Sequence, residues 1–138
     1  MEFIKAEEFL KQPVEVQKVF IDWWKPSIGE MMYSTGITSG ECIYIEDYKE
    51  SGCEIFRLKS KGKALASKNI FIPLFTEGQL RQFIEDKTSS IIDVEHHWKE
   101  YGYSIYLYQC EDLIDSFNGL EDDLLQAYWK VAIEIAKE

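Results

Sequence analysis

The sequence predicts an α+β fold: a single domain over residues 1–138, with an antiparallel sheet of about five to six short strands and N-terminal, middle and C-terminal helices packed on it. Three observations carry this. Apolar residues recur at three- and four-residue spacing near both ends of the chain and once in the middle, which is the helical period. Between these stretches apolar and polar residues alternate, which is the strand period. The links between alternating runs are short and rich in Gly and polar residues, as antiparallel hairpins require. The chain has 138 residues, 46% of them hydrophobic and 14% aromatic. That length suits one domain, and that composition is enough to build a core.

The elements follow in order. Residues 6–24 read as helix, with Ala6 to Leu10 a separate short turn before Pro13. Pro13 fits the first helical position, where its missing N–H costs nothing, and Glu15 falls in the first turn, where its charge meets the helix dipole. Val16, Val19, Phe20, Trp23 and Trp24 make one apolar stripe, and Lys25-Pro26 ends it, because the residue before a proline is pushed out of the helical region. Met31 to Ser34, Glu41 to Asp47 and Cys53 to Lys59 read as strands, joined through residues 35–40 and 48–52. A looser segment, Ser60 to Lys68, leads into the apolar run Asn69-Ile70-Phe71-Ile72. In Phe75-Thr76-Glu77-Gly78-Gln79-Leu80, Thr76 and Gln79 form a capping box, and Phe75 and Leu80 are placed as a hydrophobic staple. The helix they open buries Leu80, Phe83 and Ile84 and ends near Lys87.

Ile91 to Glu95 and Tyr103 to Cys110 return to strand patterning around a loop at 96–102. In the second, Tyr103, Ile105 and Leu107 alternate with Ser104, Tyr106 and Tyr108, so both faces carry bulky groups, as in a central strand or one with a face lined by tyrosines. Asn118-Gly119 marks a break before a final helix, Leu120 to Lys137. Glu121, Asp122 and Asp123 crowd its first turn and Lys137 its last, matching the helix dipole at both ends. Leu124, Leu125, Tyr128, Trp129, Ala132, Ile135 and Ala136 cover a wide arc for burial against the sheet.

Charge and cysteine usage bound the function. The 15 Lys and Arg against 25 Asp and Glu give a net charge of −10. This excludes a general nucleic-acid binder, which needs clustered cations to neutralise phosphates. No apolar run approaches the roughly 18–20 residues that span a bilayer, so no membrane partner is expected. The N-terminus has neither the basic nor the apolar region of a secretory signal. Cys42, Cys53 and Cys110 are odd in number and lack a C-x-x-C pair, which argues against a disulfide framework. A cytoplasmic protein is the expectation.

Motifs for chemistry are absent: no G-x-S-x-G, P-loop, G-x-G-x-x-G or kinase signature occurs, so no catalytic residue is assigned. His96 and His97 are the two histidines; without a metal-binding spacing they read as part of a solvated, mixed-charge loop, and neither a metal nor a cofactor is assigned. The charge distribution is more informative. Residues 57–68 carry Arg57, Lys59, Lys61, Lys63 and Lys68 and no acid, so one segment holds +5 on a body that is otherwise −15. With Asn69, these cations make a candidate anion- or nucleotide-binding segment; the alternatives are a solvated strand end and loop whose lysines solubilise the edge, or a protein-partner contact. Glu111 to Asp123 is the acidic counterpart, read as helix-start charge or as a mimic of nucleic acid towards a basic partner. Tyr44, Tyr106 and Tyr108 are candidate aromatic contacts, because exposed tyrosines favour interfaces and stacking on bases.

Residues 72–85 (Ile72-Pro73-Leu74-Phe75-Thr76-Glu77 onward) and 123–132 (Asp123-Leu124-Leu125-Gln126-Ala127-Tyr128-Trp129 onward), together with 9–20 and Asp22-Trp23-Trp24-Lys25-Pro26, resemble small accessory proteins encoded by phages and prophages of Gram-positive, Bacillus- and Clostridium-like bacteria. The likeness covers the helices and their entry loops and brings no catalytic motif. It implies a cytoplasmic, viral setting in which small acidic proteins block host defences by binding. The expected function is thus a non-catalytic, phage-encoded binding protein that antagonises an anti-phage system, with a host immune protein or a nucleotide second messenger as partner, alone or as a homo-oligomer. An acidic DNA-mimic inhibitor, a small intracellular enzyme with an unrecognised site and a phage regulatory or structural accessory protein are the alternatives.

Overall fold

A computed structural model of the chain describes residues 2–25, 31–34, 42–51, 53–58, 62–65, 71–97 and 102–138, with the backbone alone over 31–71. It divides into two compact units, Lys5–Leu74 and Met1–Ile4 with Phe75–Glu138. Both contain helices and antiparallel strands, so the α+β class holds. The strands do not form the one sheet of five to six expected. Among the described residues they form two sheets, one of five strands and one of three.

The Lys5–Leu74 unit opens with α1 (Ala6–Leu10) and α2 (Val14–Trp23). Pro13 stands one residue outside α2, as its N-cap, with φ −55° and an extended ψ of 149°. Its fixed φ suits either position, and the extended ψ decides for the cap. Val16, Phe20 and Trp24 of the expected stripe are buried, while Val19 and Trp23 are half-buried. The Phe9 ring of α1 meets Phe20 at 6.2 Å between centroids, tilted by 59°, an edge-on approach that aromatic quadrupoles favour. Then come β1 (Met31–Ser34), β2 (Cys42–Ser51), β3 (Cys53–Leu58), β4 (Gly62–Leu65) and β5 (Phe71–Pro73), in the order β4-β3-β2-β1-β5. β2 runs on through Tyr48–Ser51, expected as a link, and pairs Ser51 with Cys53. β4 comes from the segment expected to be loose; four residues hold too little period to read, and pairing with β3 makes the strand.

In the other unit the Ile4 N–H donates to the Phe75 carbonyl at 2.8 Å, which ties residues 2–4 to it. α3 (Glu77–Thr88) starts as its sequence dictates. The Gln79 N–H donates to Thr76 Oγ1 at 3.3 Å, and Gln79 Oε1 accepts from the Thr76 N–H at 2.9 Å, closing the capping box. Leu80, Phe83 and Ile84 are buried, as the spacing requires. Ser89 ends the helix in the left-handed region at φ 50°. β6 (Ile91–His96), β7 (Tyr103–Gln109) and β8 (Asp112–Phe117) form an antiparallel sheet with β7 central.

α4 runs Leu124–Ala136 and starts four residues later than expected. Asp123 is its N-cap, with a carboxylate oxygen accepting from the Gln126 N–H at 3.1 Å. Glu121 and Asp122 lie outside the helix. Glu121 forms an ion pair with Lys130 at 2.8 Å and Asp122 hydrogen-bonds His96 Nε2 at 2.7 Å, so two acids expected as dipole charges have side-chain partners instead. Lys137 is the C-cap rather than a last-turn residue.

Tyr128 of α4 is 2% exposed. Burial pushes its phenol pKa above the ordinary value, opposed by the Arg81 charge and reinforced by Glu77 and Glu85. The folded chain therefore holds this proton more tightly than the unfolded chain. The resulting stability is complete below the phenol's unfolded pKa of about 10 and is lost as pH rises through the folded value. Melting temperatures of wild type and Tyr128→Phe should run parallel up to about pH 10 and diverge above it, with the wild type falling more. Parallel curves would show that Tyr128 is not responsible.

Candidate functional site

The residues that charge and aromatic content single out fall in both units. Arg57 lies on β3 and Lys63 on β4, and the two are direct register partners. Lys59, Lys61, Lys68 and Asn69 lie outside the described residues. On the other side of β3 the register places Asp47 of β2 opposite Arg57. A segment without acids in sequence therefore has one beside it in the sheet. Tyr44 lies on β2, as the partner of Met31. Tyr106 and Tyr108 belong to β7 in the three-stranded sheet, so the aromatic candidates fall in both sheets.

That second sheet has two unlike faces. Strand alternation puts Tyr103, Ile105 and Leu107 of β7 on one face with Ile92, and Ile92, Ile105 and Leu107 are all buried. Ser104, Tyr106 and Tyr108 occupy the other face. Across it the register builds three rows: Ile91, Tyr108 and Leu113; then Asp93, Tyr106 and Ser116; then Glu95 and Ser104. The first row is apolar yet open, with Ile91 67% and Leu113 52% exposed. The two tyrosines are half-buried. The Tyr106 hydroxyl donates to Glu95 Oε2 at 3.1 Å, a diagonal contact that orders this face.

β8 is the edge of this sheet, and residues 112–116 are all exposed. Its register slips between Leu107 and Tyr108, which leaves Ile114 as an extra residue, 43% exposed. β6, β7 and β8 carry Asp93, Glu95, Asp112 and Asp115 and no Lys or Arg. The first half of the acidic run at 111–123 is thus an open strand edge, and the second half is the lead-in to α4.

The histidines do more than solvate a loop. His96 stacks on Tyr103 at 4.3 Å between ring centroids and meets Asp122 through Nε2. His97 Nε2 shares a hydrogen bond with Ser104 Oγ at 2.9 Å, and Glu95 Oε2 lies 4.0 Å from the same nitrogen. Ser104, His97 and Glu95 are the residue types of a nucleophile triad, but the arrangement lacks its logic. A triad carboxylate orients the imidazole through the nitrogen the serine does not use, whereas here Glu95 sits at the serine's own nitrogen and beyond hydrogen-bonding reach. Ser104 is also 1% exposed, which leaves its hydroxyl no route to a substrate. Among the described residues no group of three His, Cys, Asp or Glu side chains is placed to hold a metal.

Among the described residues no helix is long and apolar enough to cross a membrane. No protein-family model matches the chain, and neither a curated protein nor a solved structure does.

Proposed function

We propose that this chain is a non-catalytic binding protein that works by occupying a partner protein. The observation that carries this reading is the outer face of the three-stranded sheet, where Ile91 and Leu113 stand open on either side of Tyr108. Tyrosine and exposed apolar side chains set in a polar surround suit protein contacts. The resemblance of the helical segments to phage and prophage proteins supplies the setting: the cytoplasm of a bacterial host, with an immune protein of that host as the target. A second reading, sequestration of a nucleotide signal, is favoured by the pairing of Arg57 with Lys63. Asp47 opposite Arg57 weighs against it, because a carboxylate in the same row competes with a phosphate.

Affinity capture from a Bacillus lysate tests the first reading, with one protein expected in stoichiometric amount. Capture of nothing overturns it. Thermal shifts against cyclic and ADP-ribose-type nucleotides test the second, since a ligand at about 100 times its Kd adds about 2.7 kcal/mol. A shift abolished by Arg57→Glu with Lys63→Glu would move the conclusion to sequestration, and turnover of any nucleotide would end the non-catalytic reading.

A further inference from the structure

We propose that the open edge of β8 receives an extended, basic segment of a partner protein as a fourth strand of the three-stranded sheet. This rests on the reading of the chain as a protein-binding protein and names its surface and the chemistry of its partner. Among the described residues β8 pairs with β7 alone, so its outer edge carries no further strand, although the Ser116 N–H already donates to Asp115 Oδ1 at 2.8 Å. Such an edge is a template for another strand.

The side chains along β8 determine which strand fits. The register sets Asp112 beside Gln109 and Asp115 beside Leu107, on the face that packs inward, and sets Leu113 beside Tyr108 on the outer face. An incoming strand that follows β8 past the bulge at Ile114 presents two residues between those beside Asp112 and Asp115. Residues that flank Asp112 and Asp115 gain from a positive charge. Of the two residues between them, the one next to Leu113 extends the open apolar row of Ile91, Tyr108 and Leu113, and the other meets the exposed Ile114. The preferred occupant therefore sets two aliphatic or aromatic residues between Lys or Arg residues.

A second copy of this chain fits poorly. Antiparallel self-pairing of β8 centred on Leu113 and Ile114, the register with most apolar overlap, puts Asp112 opposite Asp115 twice. Like charges directly opposite one another destabilise a strand pair. The three strands offer no Lys or Arg to relieve that repulsion. The same acids that discourage self-association thus select a basic guest.

A fluorescein-labelled nine-residue peptide with pairs of valines set between lysines is the probe, read by fluorescence anisotropy against the full chain. Saturable binding is expected, weakened about tenfold or more by Asp112→Lys with Asp115→Lys and by Leu113→Lys. These sites are exposed, and an unchanged circular dichroism spectrum and melting temperature show that the fold is kept. A peptide with the same side chains but N-methylated at alternate amides separates strand addition from plain charge attraction. It should not bind, because its donors to the β8 edge are gone. Equal binding of the methylated peptide, or binding indifferent to the Asp112 and Asp115 reversals, overturns the proposal. Lysate capture with the charge-reversed variant tells the two readings apart: a partner retained by both variant and wild type leaves the binding function standing and removes β8 from it. A partner lost only by the variant supports both.

Discussion

Gly102→Ala is expected to destabilise the unit built on β6, β7 and β8 by about 3 kcal/mol or more, whereas Gly119→Ala costs about 1 kcal/mol. Both glycines sit at φ 64°, where a side chain crowds the following carbonyl. Around Gly119 a new Cβ has nothing within 4 Å, so the backbone preference is the whole cost. At Gly102 the same atom would lie 1.8 Å from the carbonyl oxygen of Leu120, so the backbone itself must move. It has little room. The Gly102 carbonyl accepts from the His97 N–H at 2.9 Å. Next door, Tyr103 exchanges hydrogen bonds with the lead-in to α4, its carbonyl accepting from Leu120 at 3.0 Å and its N–H donating to Glu121 at 3.3 Å. A shift large enough to admit a methyl group breaks some of these, each worth about 1 kcal/mol. Urea unfolding of both variants decides the matter, and equal losses at the two positions would show that close approach to Leu120 plays no part.

This crossing of chain segments shows what a sequence can and cannot reveal. Elements with local signals were legible. The capping box at Thr76 and Gln79 is written within four residues and appears as such. The alternation in Tyr103–Gln109 suits either a central strand or one with a face lined by tyrosines, and β7 is central and carries Tyr106 and Tyr108 on one face. β8 was not legible. An edge strand exposed on both faces has no apolar alternation, and Asp112 and Asp115 read as more of the acid preceding α4. What makes it a strand is pairing with β7, which the turn at Cys110, φ 56°, brings about. Partition into two sheets is non-local for the same reason. Of the candidate site, the cationic segment was conspicuous by charge, but Asp47 opposite Arg57 follows only from the β2–β3 register. Ser104 shows the converse: an ordinary small residue in a strand, it becomes a buried partner for His97 only through the loop at the end of β6.

Phe83→Ala is expected to cost about 3–5 kcal/mol, against about 0.5 kcal/mol for Ile91→Ala. Phe83 is fully buried on α3 between Leu80 and Ile84, which are fully buried too. Removing its ring takes apolar contacts from water-free surroundings and leaves a cavity that close-packed neighbours fill only in part. Ile91 is as apolar but stands on the outer face of β6, where most of its surface already meets water, so its truncation gives up little burial. Its neighbour Ile92 is buried on the opposite face, so one step along the strand separates a residue that stabilises from one that does not. If the outer face serves a partner, the ordering reverses for binding: Ile91→Ala keeps its melting temperature and weakens capture of the partner, while Phe83→Leu, which shrinks the buried side chain, lowers the melting temperature and keeps capture. Unfolding midpoints and capture yields on the same variants measure the two effects side by side. A large stability loss at Ile91 would mean that its face is covered in the native protein, and the surface assigned to a partner would belong to the fold itself.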